Sequence, residues 1–422
     1  MLYNEIKHTI RQFCYEGTYK SAYEIKAGNV NATYRLTYAD GDAERFYVLQ
    51  KINRVAFRDP DGLMENVIRV TEHIEAKLDR NDPDFSRKRL RFVPTIQGGY
   101  LYCDDVGNYW RSYIYVDNVT AYDSIKDPHL FYEAGKGFGE FQKQLFDFPA
   151  AQLNETIPNF HNTKRRFYDF VAAIAADKAD RVHEIDAEID FLFDRRKMMG
   201  EIVDKLDAGI LPVRVTHNDT KLNNVLIDNV TGKAICVIDL DTVMPGSSLY
   251  DFGDAIRFGA CTAAEDEEDL SKISLDMELF KLFTKGFIEE ISGALEKEEI
   301  RYLPLGVKVI TCELAMRFLT DYINGDEYFK TKSPDHNLIR ARAQMKLLTE
   351  IEAKYDEMVK YVESWIYKML TTFSLLSLTE NLRAQNIGRE LVFSADLCYN
   401  GMGDENGRTE KSQDHSVKRC GL

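Results

Sequence analysis

The apolar positions of this chain change period once, near residue 120. Before that point they alternate. Tyr34 to Tyr38 and Phe46 to Ile52 carry apolar and polar residues in turn, on either side of the turn sequence Ala39-Asp40-Gly41-Asp42, the pattern of a half-buried hairpin. A helix is predicted after it, over Asp59 to Leu78, with Asp59 as N-cap, Pro60 at the first helical position and Leu63, Val67, Val70 and Ile74 on one face. Three further short strands rich in Tyr, Val and Ile are predicted between Arg91 and Asp117. From about Ala121 the spacing becomes helical, as in HLFYEAGKGFGEFQKQLFDF, TKRRFYDFVAAIAADKADRV and EIDFLFDRRKMMGEIVDKLDAG. Two short strand candidates, Val225 to Ile227 and Ile235 to Leu240, interrupt the helices, which resume at Asp269 and run to about Leu370.

These patterns predict an α+β protein of two lobes. Residues 1–116 form a small β-rich N-terminal lobe, and residues 117–370 a large, mainly helical C-terminal lobe with one hairpin. Residues 371–422 form an extra tail, expected to be partly disordered because its end is polar and lacks apolar periodicity.

Composition narrows the function. With 54 Lys and Arg against 69 Asp and Glu, the formal charge is −15. Such a chain lacks the basic face that nucleic acid or an anionic membrane surface needs. No apolar run reaches the roughly 20 residues of a membrane span, and MLYNEIKHTIRQF holds no apolar signal core. Seven cysteines without a CxxC pair set aside a disulfide framework and structural zinc. A cytoplasmic protein with a small-molecule partner is expected.

The chemistry concentrates in Thr216 to Asp228, THNDTKLNNVLID, and in the following CVIDLDTVMPGSSLYDFGD. A hairpin of Val225 to Ile227 with Ile235 to Ile238 brings the loop before its first strand near the end of its second. Asp219, Asn224 and Asp239 then converge. Carboxylate and amide oxygens suit magnesium, which takes its remaining ligands from water and substrate phosphates. A loop aspartate that stays off the metal can accept a proton from a hydroxyl nucleophile. An Asp, an Asn five residues on and a later Asp are the parts of the phosphoryl-transfer template. Here they stand as His217-Asn218-Asp219 with Asn224, then Ile238-Asp239-Leu240-Asp241. The Arg that protein kinases place after the histidine is Asn218 here, and no A-P-E motif occurs. A small-molecule kinase is the reading.

In these segments the chain resembles the aminoglycoside phosphotransferase and choline kinase superfamily, and within it most nearly N-acetylhexosamine 1-kinase and its bacterial relatives. YWRSYIYVDNVTAYD, ETIPNFHNTKRRF and RFLTDYINGDEYF add to the likeness, which covers about residues 15 to 365. The resemblance implies a protein-kinase-like fold, ATP as phosphoryl donor and Mg2+ as cofactor. It implies Asp219 as catalytic base, Asn224 and Asp239 as metal ligands, and Asp241 on the metal or just behind it. His217 and Asp251 would brace the loop. The acceptor it implies is the anomeric hydroxyl of N-acetylglucosamine or N-acetylgalactosamine. Another sugar, choline, homoserine or an aminoglycoside are alternatives, as is a non-catalytic nucleotide-binding module.

Further candidates complete the expected site. Gly28, Asn29 and Asn31 stand in a strand-turn-strand segment suited to covering a nucleotide. Lys51, in Val48-Leu49-Gln50-Lys51, falls where kinases place the phosphate-binding lysine, with Glu65 or Glu72 as its partner. Backbone groups of Tyr113, Tyr115 and Val116 would line the base pocket. His161, Arg317, Asp321 and Tyr328 are substrate candidates, although Arg317 and Asp321, four apart on a helix, could equally pair with each other.

Overall fold

The structure is a computed structural model and describes residues 2–26, 30–291 and 293–384. Met1–Ile366 form one compact unit and Tyr367–Leu422 a second. The tail beyond Ala384 lies outside the described residues, as do Gly28 and Asn29.

The chain opens with α1 (Leu2–Ile10), then β1 (Thr18–Ile25), β2 (Ala32–Asp40), β3 (Ala43–Lys51), α2 (Pro60–Lys77), β4 (Tyr102–Cys103) and β5 (Tyr109–Ile114). The five strands make one sheet in the order β1-β2-β3-β5-β4, antiparallel throughout. The predicted hairpin is β2–β3. The helix α2 starts where its signals place it, with Asp59 Oδ1 accepting from Gly62 N at 3.0 Å. Of the three strands predicted between Arg91 and Asp117, the first is only a bridge, Phe92 to Tyr113.

Side chains alternate between the two faces of a strand, and here each face has its own core. Ile6 and Ile10 of α1 cover Leu36, Tyr38, Tyr47, Leu49 and Trp110 on the outer face. The other face looks into the body of the molecule, where α2 supplies Leu63, Val67, Val70 and Ile74 to a cluster continuous with Phe141, Leu226 and Leu240 of the helical lobe. The small lobe is thus anchored to the large one through its helix.

The large lobe holds β6 (Val119–Thr120), α3 (Pro128–Leu145), α4 (Thr163–Ala176), α5 (Asp186–Asp194), α6 (Arg196–Met199), α7 (Glu201–Asp207), β7 (Arg214–Thr216), β8 (Val225–Asp228), β9 (Ala234–Val237), β10 (Met244–Gly246), α8 (Ser248–Gly259), α9 (Met277–Ile291), α10 (Lys297–Asn324) and α11 (His336–Ala384). The helix predicted from Glu188 onward is broken into α5, α6 and α7. The hairpin is β8–β9, with β6 on its outer edge, and β10 pairs with β7. The second strand stops at Val237, earlier than predicted, because Asp239 adopts a left-handed backbone (φ 61°) that turns the chain out of the sheet.

Helix α8 follows the site loops and is clamped by α10. Gly253 and Gly306 make this possible: a Cβ on Gly306 would lie 2.2 Å from the carbonyl oxygen of Leu249, and one on Gly253 would lie 2.4 Å from that of Gly306. Backbones approach this closely only where neither residue has a side chain.

Candidate active site

The loop after β7 carries His217, Asn218 and Asp219, and a buried carboxylate shapes it. Asp251, in the first turn of α8, accepts the backbone N–H groups of His217 (2.9 Å) and Asn218 (2.8 Å), and Gln142 Nε2 also donates to it. Ser247, not Asp251, caps α8, so Asp251 serves the loop and not its own helix. Burial pushes the Asp251 carboxyl up from its ordinary value, against the pull of His217 and the backbone donors. Asp254, one helical turn on, accepts from Thr220 N at 3.0 Å and pairs with Arg257 at 2.8 Å. Asn218 holds a left-handed backbone (φ 64°), with its Nδ2 donating to Thr242 O at 2.8 Å. Non-glycine residues in this region cluster at functional sites, and Asn218 and Asp239 flank both acidic centres.

His217 is fully buried against Phe138 and Phe141. Its Nε2 lies 2.9 Å from Ile238 O, and its Nδ1 accepts from Asp219 N at 3.3 Å. Because a carbonyl only accepts, Nε2 bears a proton and donates it to Ile238 O. From the interior, the histidine ties the loop of Asp219 to Ile238.

Asp219, Asn224 and Asp239 converge. Asn224 Nδ2 donates to Asp219 O at 2.8 Å and to Asp219 Oδ2 at 3.2 Å, which turns its amide oxygen away as the atom left for a cation. Ile238 N donates to Asn224 O at 2.9 Å and ties this residue to the chain entering Asp239. Asp239 keeps an open side towards the cleft while protein surrounds it at depth. That enclosure, followed by the charges of Asp241 and Asp219, raises its carboxyl well above the usual carboxylate range. A carboxylate cluster of this kind seeks a cation. Among the described residues no three His, Cys, Asp or Glu side chains are grouped to hold a metal by themselves. One carboxylate and one amide oxygen with substrate phosphates is the donor set magnesium favours, so the residues fit that ion. Asp241 stands behind: Arg111 Nη1 lies 2.5 Å from its Oδ1, and Asn31 Nδ2 donates to its Oδ2 at 2.6 Å.

Lys221 is a site residue the sequence reading passed over. Its Nζ lies 2.6 Å from Asp219 Oδ1. Enclosure works against its charge, but Asp219 and Asp254 outweigh that and its pKa is raised. Its position two residues after the expected base was the available signal. Asn223, the neighbour of Asn224, donates outward to Asp123 at 3.2 Å.

Lys51 is a correction. It shares the face of β3 with Tyr47 and Leu49, the face covered by α1, and its Nζ sits 5.9 Å from the Trp110 ring centroid. Neither Glu65 nor Glu72 pairs with it. Glu65 binds Arg69 and Asn154, and Glu72 is exposed. The opposite face carries Gln50 and, in register with it, Arg111. Gln50 Oε1 accepts from Arg111 Nε (2.9 Å) and Nη2 (2.8 Å). At the connector, Tyr113 belongs to β5, and Tyr115 N–H is taken up by Phe46 O at 3.0 Å. Tyr113 is buried on the Arg111 side, and burial with the nearby carboxylates lifts its hydroxyl above its ordinary value. Val116 is buried in the core shared by the two lobes.

On the acceptor side, His161 Nδ1 lies 3.0 Å from Glu313 Oε2, both buried. Arg317 Nη1 is 3.7 Å from Glu313, so its helical partner is the residue four before it and not Asp321. Its guanidinium sits over Phe160, Tyr328 and Phe329, at 5.1, 5.9 and 5.6 Å from their centroids. Arg166, Arg317, Thr320, Tyr328 and Phe329 line a cavity of about 150 Å³. Burial, followed by the charge of Arg317, lowers the pKa of Arg166 there. Asp321 lines the same cavity and has a structural role as well. It accepts the backbone N–H groups of Glu327, Tyr328 and Phe329 at 2.8–3.0 Å, and Asn337 Nδ2 at 2.9 Å. Its carboxylate holds the Glu327–Phe329 loop, and the residue also lines the cavity beside Arg317. A larger cavity, about 250 Å³, lies behind the hairpin between α2, α3 and β9, and none of the converging acidic residues lines it.

A sheet-bearing lobe over a helical lobe, with Asp, Asn and Asp gathered on a short hairpin, defines a phosphotransferase of protein-kinase-like fold. The chain belongs to the phosphotransferase enzyme family (APH), which matches residues 22–274. An aminoglycoside phosphotransferase from Alicyclobacillus acidocaldarius is 14% identical with a TM-score of 0.52, over 83% of this chain and 94% of that one. A choline kinase from Cryptosporidium parvum is 12% identical with a TM-score of 0.51, over 87% and 100%. The spectinomycin phosphotransferase APH(9)-Ia, solved with ADP and spectinomycin, is 13% identical with a TM-score of 0.50, over 84% and 98%. At these identities the likeness is one of fold. The protein is thus a member of the phosphotransferase enzyme family, with the fold that aminoglycoside phosphotransferases and a choline kinase share. Among the described residues no helix is long and apolar enough to cross a membrane.

Proposed function

We propose that this protein transfers the γ-phosphoryl group of ATP, with magnesium, to the anomeric hydroxyl of an N-acetylhexosamine and so makes the sugar 1-phosphate. Asp219 accepts the hydroxyl proton and aims the oxygen at phosphorus, with Lys221 fixing the carboxylate. Asn224 and Asp239 would hold magnesium, which neutralises phosphate charge when bound. The transition state of such a transfer is loose, so positioning and charge neutralisation supply most of the rate.

The observation that carries the choice of acceptor is the state of the acidic run Glu265 to Glu268. Glu265 pairs with Arg257 at 3.0 Å, Asp266 with Lys332 at 2.7 Å and His336 at 3.1 Å, and Glu267 with Lys272 at 3.2 Å. These carboxylates face the protein's own cations, which leaves little anionic wall for a polyamine or a quaternary ammonium. Arg317 among three aromatic rings supports a neutral, ring-shaped acceptor with an amide oxygen.

The test is acceptor-dependent ADP production with N-acetylglucosamine, N-acetylgalactosamine, other hexoses, choline, homoserine and an aminoglycoside side by side. N-acetylhexosamine turnover that yields an alkali-stable, acid-labile sugar phosphate supports the reading. Turnover with choline, homoserine or the aminoglycoside alone replaces it by another kinase of the superfamily. ATP binding without turnover of any acceptor leaves a nucleotide-binding module.

A further inference from the structure

We propose that Arg111 on β5, and not the β3 lysine, is the cation that holds the nucleotide phosphates, and that the ligand-free protein parks it on Asp241. The proposal rests on the ATP-dependent reading above.

Strand parity comes first. Lys51 lies on the α1 face with Tyr47, Leu49 and Trp110, so the sheet itself separates its ammonium from the Asp219–Asp239 cleft. Gln50 and Arg111, paired across β3 and β5, occupy the cleft face at the same level of the sheet. Arg111 is therefore the basic residue that the strand geometry offers where the lysine was expected.

Charge comes second. Three carboxylates, Asp219, Asp239 and Asp241, are gathered here, and two cations pair with them, Lys221 with Asp219 and Arg111 with Asp241. Lys221 is bound to Asp219, the residue that must receive the acceptor hydroxyl. A triphosphate entering beside three carboxylates needs a further positive group besides magnesium, and Arg111, paired with Asp241, is placed to supply it. Burial works against its charge, but Asp241 outweighs this and its pKa is raised, so it stays a cation throughout.

Geometry comes third. Gln50 takes Nε and Nη2 with one oxygen and fixes the plane of the guanidinium, while Nη1 donates to Met64 Sδ at 3.9 Å and lies 2.5 Å from Asp241 Oδ1 as an ion pair, an oxygen that has no hydrogen-bond donor. A guanidinium fixed in plane with its donors towards an oxyanion suits a bidentate phosphate. Asn31, next to the segment 27–29 that would cover the nucleotide, donates to the other oxygen of Asp241, and its own Oδ1 accepts from Asn53 N at 3.0 Å. Both contacts with Asp241 cross the cleft. On nucleotide entry the phosphate oxygens replace Asp241 as the partner of Arg111, and Asp241 is released towards the metal side.

The experiment is calorimetric binding of MgATP, ADP and adenosine to the full chain. The proteins are wild type, Lys51→Gln, Arg111→Gln, and the double variant Arg111→Gln/Asp241→Asn, which leaves no unpaired buried charge if the single variant folds poorly. The expected result is a loss of about 10- to 100-fold in MgATP and ADP affinity in both Arg111 variants. Adenosine affinity stays within about twofold in every protein, and Lys51→Gln stays within about twofold for all three ligands. Unchanged MgATP affinity in the folded Arg111 variants overturns the proposal, as does a comparable loss in Lys51→Gln. Failure of the wild type to bind any nucleotide overturns the ATP-dependent reading instead.

Discussion

His217 donates its Nε2 proton to the carbonyl of Ile238, 2.9 Å away, and so joins the loop that carries Asp219 to the residue before Asp239. Asp219 and Asp239, the base and the metal-side carboxylate of the proposed function, come from segments about twenty residues apart, and this one buried bond sets them against each other. His217→Ala leaves the Ile238 carbonyl and the Asp219 N–H without a partner and opens a cavity between Phe138 and Phe141. A stability loss of about 3 kcal/mol is expected, with kcat and magnesium affinity falling together. Chemical denaturation and magnesium titration of activity check this. A variant of full stability with an intact magnesium response would show that the bond positions nothing.

The clamp between α8 and α10 predicts a stability effect remote from the chemistry. Gly306→Ala places a methyl group 2.2 Å from the Leu249 carbonyl, and backbone has to move. The expected cost is about 3 kcal/mol, at the upper end for overpacking. Because Asp251 and Asp254 ride on α8, activity should be lost at lower denaturant concentration than in wild type. An unchanged unfolding midpoint would mean that the two helices separate easily.

Asp266 gives a pH-dependent prediction. Lys332 first, then His336, hold its carboxyl at about 2. A carboxyl depressed in the folded state contributes stability that is present in full above its unfolded pKa, about 4, and is lost as pH falls towards 2. The pair is partly solvent-screened, so Asp266→Asn should cost about 1 kcal/mol or less at pH 7. The difference from wild type should shrink steadily between about pH 4 and pH 2. A difference constant across that range would remove the ion pair as its cause.

Arg317→Ala should raise the acceptor KM by roughly tenfold, about 1.4 kcal/mol, and leave the ATP KM as it was. Its guanidinium lies over Phe160, Tyr328 and Phe329 and away from the nucleotide side. Steady-state kinetics with each substrate varied in turn separates the two constants. An equal rise in both would show that loss of the Glu313 partner has disturbed the lobe as a whole.

What could be read from residues alone follows the range of the interactions. The Asp219 and Asn224 spacing, the β8–β9 hairpin and the Asp59-Pro60 start of α2 depend on neighbours within a few residues, and the chain shows them directly. Lys51 illustrates the limit. Val-Leu-Gln-Lys places a lysine at the right strand position, but its face depends on which side α1 covers, a contact more than forty residues away. Arg111 left a faint trace, as a charged residue on the same face as Tyr109 and Tyr113 in a segment predicted as strand and rich in Tyr, Val and Ile. The loop-holding role of Asp321 was not legible, because its partners are backbone N–H groups of a loop whose path no side-chain pattern reveals. Asp251 reaches the backbone of His217 and Asn218 from the first turn of α8, a contact between distant parts of the chain that no local pattern shows.

The central claim is that Asp219 receives the acceptor's proton, and Asp219→Asn tests it most directly. The variant keeps the size of the side chain and an oxygen for Asn224 Nδ2, so fold and nucleotide binding should persist. The measurement is kcat for phosphorylation of the preferred acceptor, taken together with MgATP affinity on the same protein. The expected result is a fall in kcat of about 10² to 10⁴ with MgATP affinity within a few-fold of wild type. Phosphorylation at a near-wild-type rate would contradict the assignment of Asp219 as the base.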